Sequence, residues 1–296
     1  MNPHSLLRPQ VVIAAALALL PMLSAAFFPA WRSVLEKKLP RVLFLLCPAL
    51  LCLPYVLVAS TFDTLRWNWV ALYALLPVAI ALVESHARMA DPEGRGNWRD
   101  FLILAVLGLG VDLRWFEPAW PAGLTAVGKI LLLDAGIFAF LAVRQLDGVG
   151  FDLRLRWRDI GIGLREFCFY APIAIPLGLG LGFLHFHAGW PSVVRAGTAY
   201  LFTFLFIAIP EELFFRGWLQ NLLEKKMGRT AALVATAVLF GLAHWNKRTT
   251  NFNWQYVVLA ALAGVFYGRA WRAERRVGAS AITHATVDTL WSLWLR

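Results

Sequence analysis

Apolar runs long enough to cross about 30 Å of hydrocarbon recur along the whole chain, each bounded by Arg, Lys, Trp or Pro as helices meeting two interfaces would be. The runs cover 11–30, 42–60, 69–83, 101–113, 120–143, 167–184, 197–223, 230–245, 254–268 and 277–295. The run at 101–113 is short enough to be re-entrant, and the one at 197–223 is long and interrupted by Pro210. With 59% hydrophobic and only 16% charged residues, the pattern predicts an all-α protein, a polytopic transmembrane helical bundle of about 8–10 membrane helices.

The net charge of +10 does not point to nucleic acid, because the basic residues are scattered among short connections and form no long patch with stacking aromatics. The connections near 31–41, 84–100, 144–166, 224–229 and 269–276 hold most of the Lys and Arg, which predicts a cytoplasmic position for them. The first run is read as an uncleaved membrane helix, its apolar core being too long for a signal peptide. Cys47, Cys52 and Cys168 lie in or at the edge of apolar runs and read as packing residues, neither a disulfide framework nor a Cys-rich metal site.

Against this background the stretch "AIPEELFFRGW", residues 208–218, is costly. An ionised Glu or Arg in mid-membrane costs roughly 2.5–3.5 kcal/mol, whereas each Leu or Phe returns only about 0.3–0.6. Glu212 precedes Arg216 by four residues and can meet it on one helical face. Glu211 points about 100° away and has no partner within the motif. A Glu212–Arg216 ion pair that merely fixes packing is a sufficient reading of those two residues. An unpaired intramembrane carboxylate such as Glu211 is instead a site hypothesis.

Two further polar clusters follow. "FGLAHW" sets Phe240 and His244 four apart, and "ITHATVDTLW" does the same for His284 and Asp288. Either histidine alone would read as a hydrogen-bonded core residue; three polar clusters on three helices read as a site. His185 and His187, in "FLHFHAGWP", read as loop or interface residues without chemistry.

The series E-E-x-x-x-R, F-x-x-x-H and H-x-x-x-D, in that order, resembles the CAAX prenyl protease and bacteriocin-processing family of intramembrane endopeptidases. The resemblance covers 196–296 as a protease-like domain and leaves 1–195 as membrane helices of unassigned role. It implies that Glu211 with His244 activates a water for attack on a peptide carbonyl, that His284 and Asp288 steady the oxyanion, and that Glu212, Arg216 and Phe240 support the site. The eukaryotic relatives carry Asn where this chain has Asp288. Asp288 is then protonated, or orients His284 by accepting a ring N–H, or helps bind a metal, and the second is favoured.

The same resemblance admits a divalent metal such as Zn²⁺ on Glu211, His244 and His284, although the H-E-x-x-H motif is absent. Serine and aspartyl intramembrane protease signatures fail: "GASA" at 278–281 lacks the final Gly of G-x-S-G, and "GLGVD" at 108–112 has one residue too many for G-x-G-D. The implied partners are the lipid bilayer and a membrane-associated or lipidated protein or peptide substrate, in a bacterial cytoplasmic membrane. Two readings of other classes stand beside the enzyme: a proton- or ion-coupled transporter and a non-catalytic scaffold of the same fold.

Overall fold

A computed structural model describes residues 8–187, 189–247 and 251–295. Among these residues there is no strand; the helices are α1 (Pro9–Phe27), α2 (Trp31–Lys38), α3 (Arg41–Thr61), α4 (Trp67–Ala90), α5 (Trp98–Asp112), α6 (Thr125–Val143), α7 (Trp157–Gly180), α8 (Val193–Met227), α9 (Arg229–Leu242), α10 (Trp254–Glu274) and α11 (Val277–Trp294). Six of them, α1, α3, α4, α6, α7 and α8, are long and apolar enough to cross a membrane. The expected 8–10 spans also counted α5, α9, α10 and α11, which fall short of that combination of length and composition. At 15 residues, α5 extends only about 22 Å.

The chain divides into two compact units, Met1–Asp147 and Gly148–Arg296. In the first, buried Arg144 gathers the charges of two connections. Its Nε donates to Asp100 Oδ1 at 2.6 Å and a terminal nitrogen to Asp91 Oδ2 at 2.6 Å. Asp100 also accepts from the backbone N–H of Asn97 at the start of α5, so one carboxylate both starts a helix and pairs a buried guanidinium.

In the second unit, α7 begins ten residues earlier than the apolar run at 167–184 suggests. The polar first turns of α7 fold inward because their charges are met. Asp159 caps the helix by accepting from the Arg156 N–H at 2.9 Å, and both its oxygens accept from Arg276 Nε at 2.9 and 3.0 Å. Buried Glu166 pairs with Arg165 and Arg269.

Arg276 directly precedes α11 and also bonds Asp152 Oδ2 at 3.1 Å and the Arg154 carbonyl at 2.9 Å. Burial opposes ionisation of Asp152, but hydrogen bonds from Arg154 and Arg276 outweigh it and hold the carboxyl below its ordinary value. A depressed folded-state value adds stability that is present above the unfolded value, near 4, and is lost as pH falls through the folded one. The melting-temperature gap between wild type and Asp152→Asn in detergent is therefore expected to be widest near pH 7 and to close as pH drops below about 4.

Pro210 does not break α8. Having no N–H and crowding the carbonyl four residues back, it falls between two π-helical stretches, Phe204–Ala208 and Leu213–Gln220, that let the helix continue. Small residues bring α9 and α10 together: a Cβ on Gly241 would meet the Val257 carbonyl oxygen at 2.5 Å, and one on Gly264 the Ala237 backbone at 3.0 Å. Gly241→Ala is expected to cost about 1–3 kcal/mol by forcing the two backbones apart, measurable as a lowered melting temperature in detergent.

The three cysteines are free. Cys47 and Cys52 are half-buried, whereas Cys168 is exposed on α7 and takes no part in the packing expected of it.

Candidate active site

The first motif spans the α-helical residues Ile209–Glu212 of α8 and the π-helical stretch Leu213–Gln220 that follows them. Glu212 and Arg216 are both fully buried and joined at 3.1 Å, the four-residue pairing expected from the sequence. Arg216 also donates to the Gly264 carbonyl on α10 at 3.1 Å. Its guanidinium lies 4.5 Å from the Phe240 ring centre and 5.3 Å from that of Tyr267. A cation so deep is held by a carboxylate, a carbonyl and two aromatic faces together.

The same Glu212 oxygen that meets Arg216 meets His284. His284 Nδ1 stands 2.8 Å from Glu212 Oε1, and because an ionised carboxylate only accepts, the imidazole N–H is the donor. This bond spans α8 to α11 and fixes which ring nitrogen is left over. His284 Nε2 lies 3.5 Å from Asp288 Oδ2, one helical turn along α11, and 3.9 Å from Glu211 Oε2. Its ring stacks on Tyr267, centres 4.6 Å apart at 15°, and meets Phe240 edge-on at 5.8 Å.

Glu211 differs from its neighbour. About a third of its side chain is exposed, yet Oε2 is buried without a hydrogen-bond partner among the described residues. Such an acceptor is costly unless water or a ligand meets it.

His244 sits in the turn just past α9. Its Nδ1 is 2.8 Å from the Phe240 carbonyl oxygen, so Nδ1 donates there and in the neutral ring Nε2 carries the free lone pair. The ring packs on Phe240 at 4.9 Å and on Tyr256 at 4.7 Å. Phe240 thus touches both histidines and the arginine, a bridging role that its place one turn before His244 only hinted at.

His244, His284 and Asp288 line one cavity of about 260 Å³, whose remaining wall is mostly aromatic and aliphatic and includes Tyr170, Phe183, Tyr256, Tyr267 and Trp291. The approximate run boundaries set His244 near one face of the membrane and His284 nearer the other; the fold brings both to a single chamber. Glu211 is not part of the cavity's lining and approaches it through His284. His185 and His187 are exposed, and their backbone N–H groups donate to the Leu295 and Trp294 carbonyls at 3.2 and 2.9 Å, tying the segment before Trp190 to the end of α11.

Tyr267, stacked on the His284 ring, and Tyr256, tilted at 56° against the His244 ring, escaped the sequence reading. Aromatic residues in an apolar helix look like core, and only their spacing against the histidines of other helices gives them a role. Among the described residues, no group of three His, Cys, Asp or Glu side chains is arranged to hold an ion.

Comparison with curated proteins and with solved structures returns no match. Residues 194–290, which contain Glu211, Glu212, Arg216, Phe240, His244, His284 and Asp288, match the model of the Rce1-like type II CAAX prenyl endopeptidase family.

Proposed function

We propose that the protein is an intramembrane endopeptidase that hydrolyses a peptide bond of a membrane-associated or lipidated protein or peptide with a water activated by Glu211 and His244, in a bacterial cytoplasmic membrane. The reading rests on one observation above the others: the partnerless Glu211 oxygen stands 3.9 Å from His284 Nε2, while His244, His284 and Asp288 line one cavity.

In this reading Glu211 and the His244 Nε2 lone pair are two acceptors for the two protons of a single water, which leaves its oxygen free to attack a carbonyl carbon. Glu211 takes the proton as the C–O bond forms and passes it to the leaving amine as the C–N bond breaks. His284 acts as an imidazolium: its Nδ1–H is committed to Glu212, and its remaining Nε2–H is donated to the developing oxyanion. Asp288 acts as a positioning residue: it faces the same Nε2–H across 3.5 Å in the resting site and yields it to the oxyanion as the C–O bond forms. The aromatic chamber excludes bulk water, so each of these charges acts at a low local dielectric.

The reaction as written needs no metal. Purified protein in proteoliposomes, incubated with a membrane-tethered reporter peptide, is expected to keep its cleavage rate after extraction with a strong chelator. Abolition by the chelator, with recovery on adding Zn²⁺, would assign the water to a metal instead.

A further inference from the structure

The unit Met1–Asp147 contains a second cavity, of about 560 Å³, far along the sequence from the motif residues. Its walls come from the end of α2 (Glu36), the following segment (Leu39), the start of α3 (Arg41, Phe44, Leu45), the end of α4 (Ser85, Arg88, Met89) and the end of α6 (Ala142, Val143). The three connections that meet here, 31–41, 84–100 and that after 143, are among those richest in Lys and Arg.

Two guanidiniums line this cavity without a carboxylate partner among the described residues. Arg41 donates only to the Ser85 hydroxyl, at 3.3 Å, and Arg88 only to the Val143 carbonyl, at 3.3 Å. The one acid in the wall, Glu36, is already engaged by Arg32 at 3.6 Å and by Gln145 at 3.0 Å. The wall also includes the apolar side chains of Leu39, Phe44, Leu45 and Val143, and Val42, Leu43, Leu46 and Leu50 of α3 are 68%, 53%, 47% and 63% exposed beside Arg41. A polar mouth with two free cations thus adjoins an apolar stripe that only hydrocarbon would cover in a membrane. From this juxtaposition we infer that the cavity formed by Arg41, Ser85 and Arg88 binds the phosphate of an anionic membrane phospholipid, whose acyl chains lie along the exposed face of α3.

The chemistry fits each part. Arginine presents paired N–H donors matched to phosphate oxygens, and Ser85 Oγ adds a hydroxyl. A basic pocket between helices at the Lys- and Arg-rich side of a membrane is where a lipid head group can meet both charge and acyl contact. A free phosphate would use the same guanidiniums but would gain nothing from the α3 stripe, and the two sources can be told apart. The inference does not depend on the proteolytic reading.

The test is native mass spectrometry of the full chain released from detergent micelles doped with phosphatidylglycerol or phosphatidylcholine, alongside inorganic phosphate alone. At about 1 kcal/mol for each basic residue near a lipid surface, two arginines amount to roughly tenfold or more in binding. Wild type is expected to retain phosphatidylglycerol with about that preference over phosphatidylcholine, and Arg41→Gln/Arg88→Gln to lose it at an unchanged melting temperature. Arg66→Gln/Arg114→Gln, which removes the same charge from other connections, is expected to keep it. Equal retention of the two lipids by wild type, equal loss in both double variants, or retention of inorganic phosphate as strong as that of the lipid would each overturn the assignment.

Discussion

Glu211→Gln is expected to lower cleavage of a membrane-tethered reporter peptide by about 10²- to 10⁴-fold, the span attributable to a positioned general base, while leaving the melting temperature near that of wild type. The amide keeps the volume and the acceptor oxygen of the carboxylate but cannot take a proton. Stability is spared because Glu211 is about one-third exposed and makes no ion pair of its own with Arg216. The result separates three readings of the same fold. A transporter would show altered ion flux and no cleavage to lose, and a scaffold would be indifferent to the change in every assay. Kinetics in proteoliposomes, with melting followed on the same preparation, check both halves.

Arg216→Met is expected to have the largest effect on stability, about 3–5 kcal/mol, because it removes the guanidinium and leaves buried Glu212 with the His284 ring alone to meet its charge. The guanidinium answers three needs at once: the Glu212 carboxylate, the Gly264 carbonyl and the faces of Phe240 and Tyr267. The double variant Glu212→Gln/Arg216→Met removes the buried charge together with its partner and is expected to recover part of the loss, so the two single effects do not add. Activity should not recover with stability, because His284 would still lack the carboxylate that holds its Nδ1–H. Thermal melting in detergent and the proteoliposome assay, run on the two single variants and the double, resolve the two effects.

The glutamates therefore divide their labour in a way that the sequence foreshadows. An acid with its cation four residues on reads as a brace, and one pointing elsewhere reads as available. The motifs on α8, α9 and α11 were legible because charge is so expensive in an apolar helix that each instance invites a reason. What the sequence could not convey was depth. His244 lies past the end of α9 and His284 about two turns into α11, and only helix offset and packing bring them to one chamber. The start of α7 was hidden for a related reason: Asp159 and Glu166 look like loop residues until Arg276 and Arg269, more than 100 residues away, are seen to pair with them.

Pro210 illustrates the same limit from the other side. A proline beside charges in a long apolar run suggests a break, yet π-helical turns absorb it and keep α8 whole. The second of those wider stretches begins just after Glu212 and carries Arg216, which reaches the Gly264 carbonyl on α10. In the first unit, Asp91, Asp100 and Arg144 fall in or at the edge of stretches that the apolar runs leave as connections, yet Arg144 pairs with both carboxylates. Run length and charge count locate the apolar cores of the long helices but miss α2 and the polar start of α7, and they carry no information on which charges will find each other.

The most direct test is isotopic. Chelator-treated proteoliposomes bearing the purified protein and a membrane-tethered reporter peptide are incubated in H₂¹⁸O, and the new C-terminus is read by mass spectrometry for wild type, His244→Ala and His284→Ala. The account predicts one ¹⁸O in the wild-type product and almost no product from either variant, with both variants still folded. Undiminished ¹⁸O-labelled product from the folded histidine variants, or no hydrolysis by the chelated wild type, would contradict it.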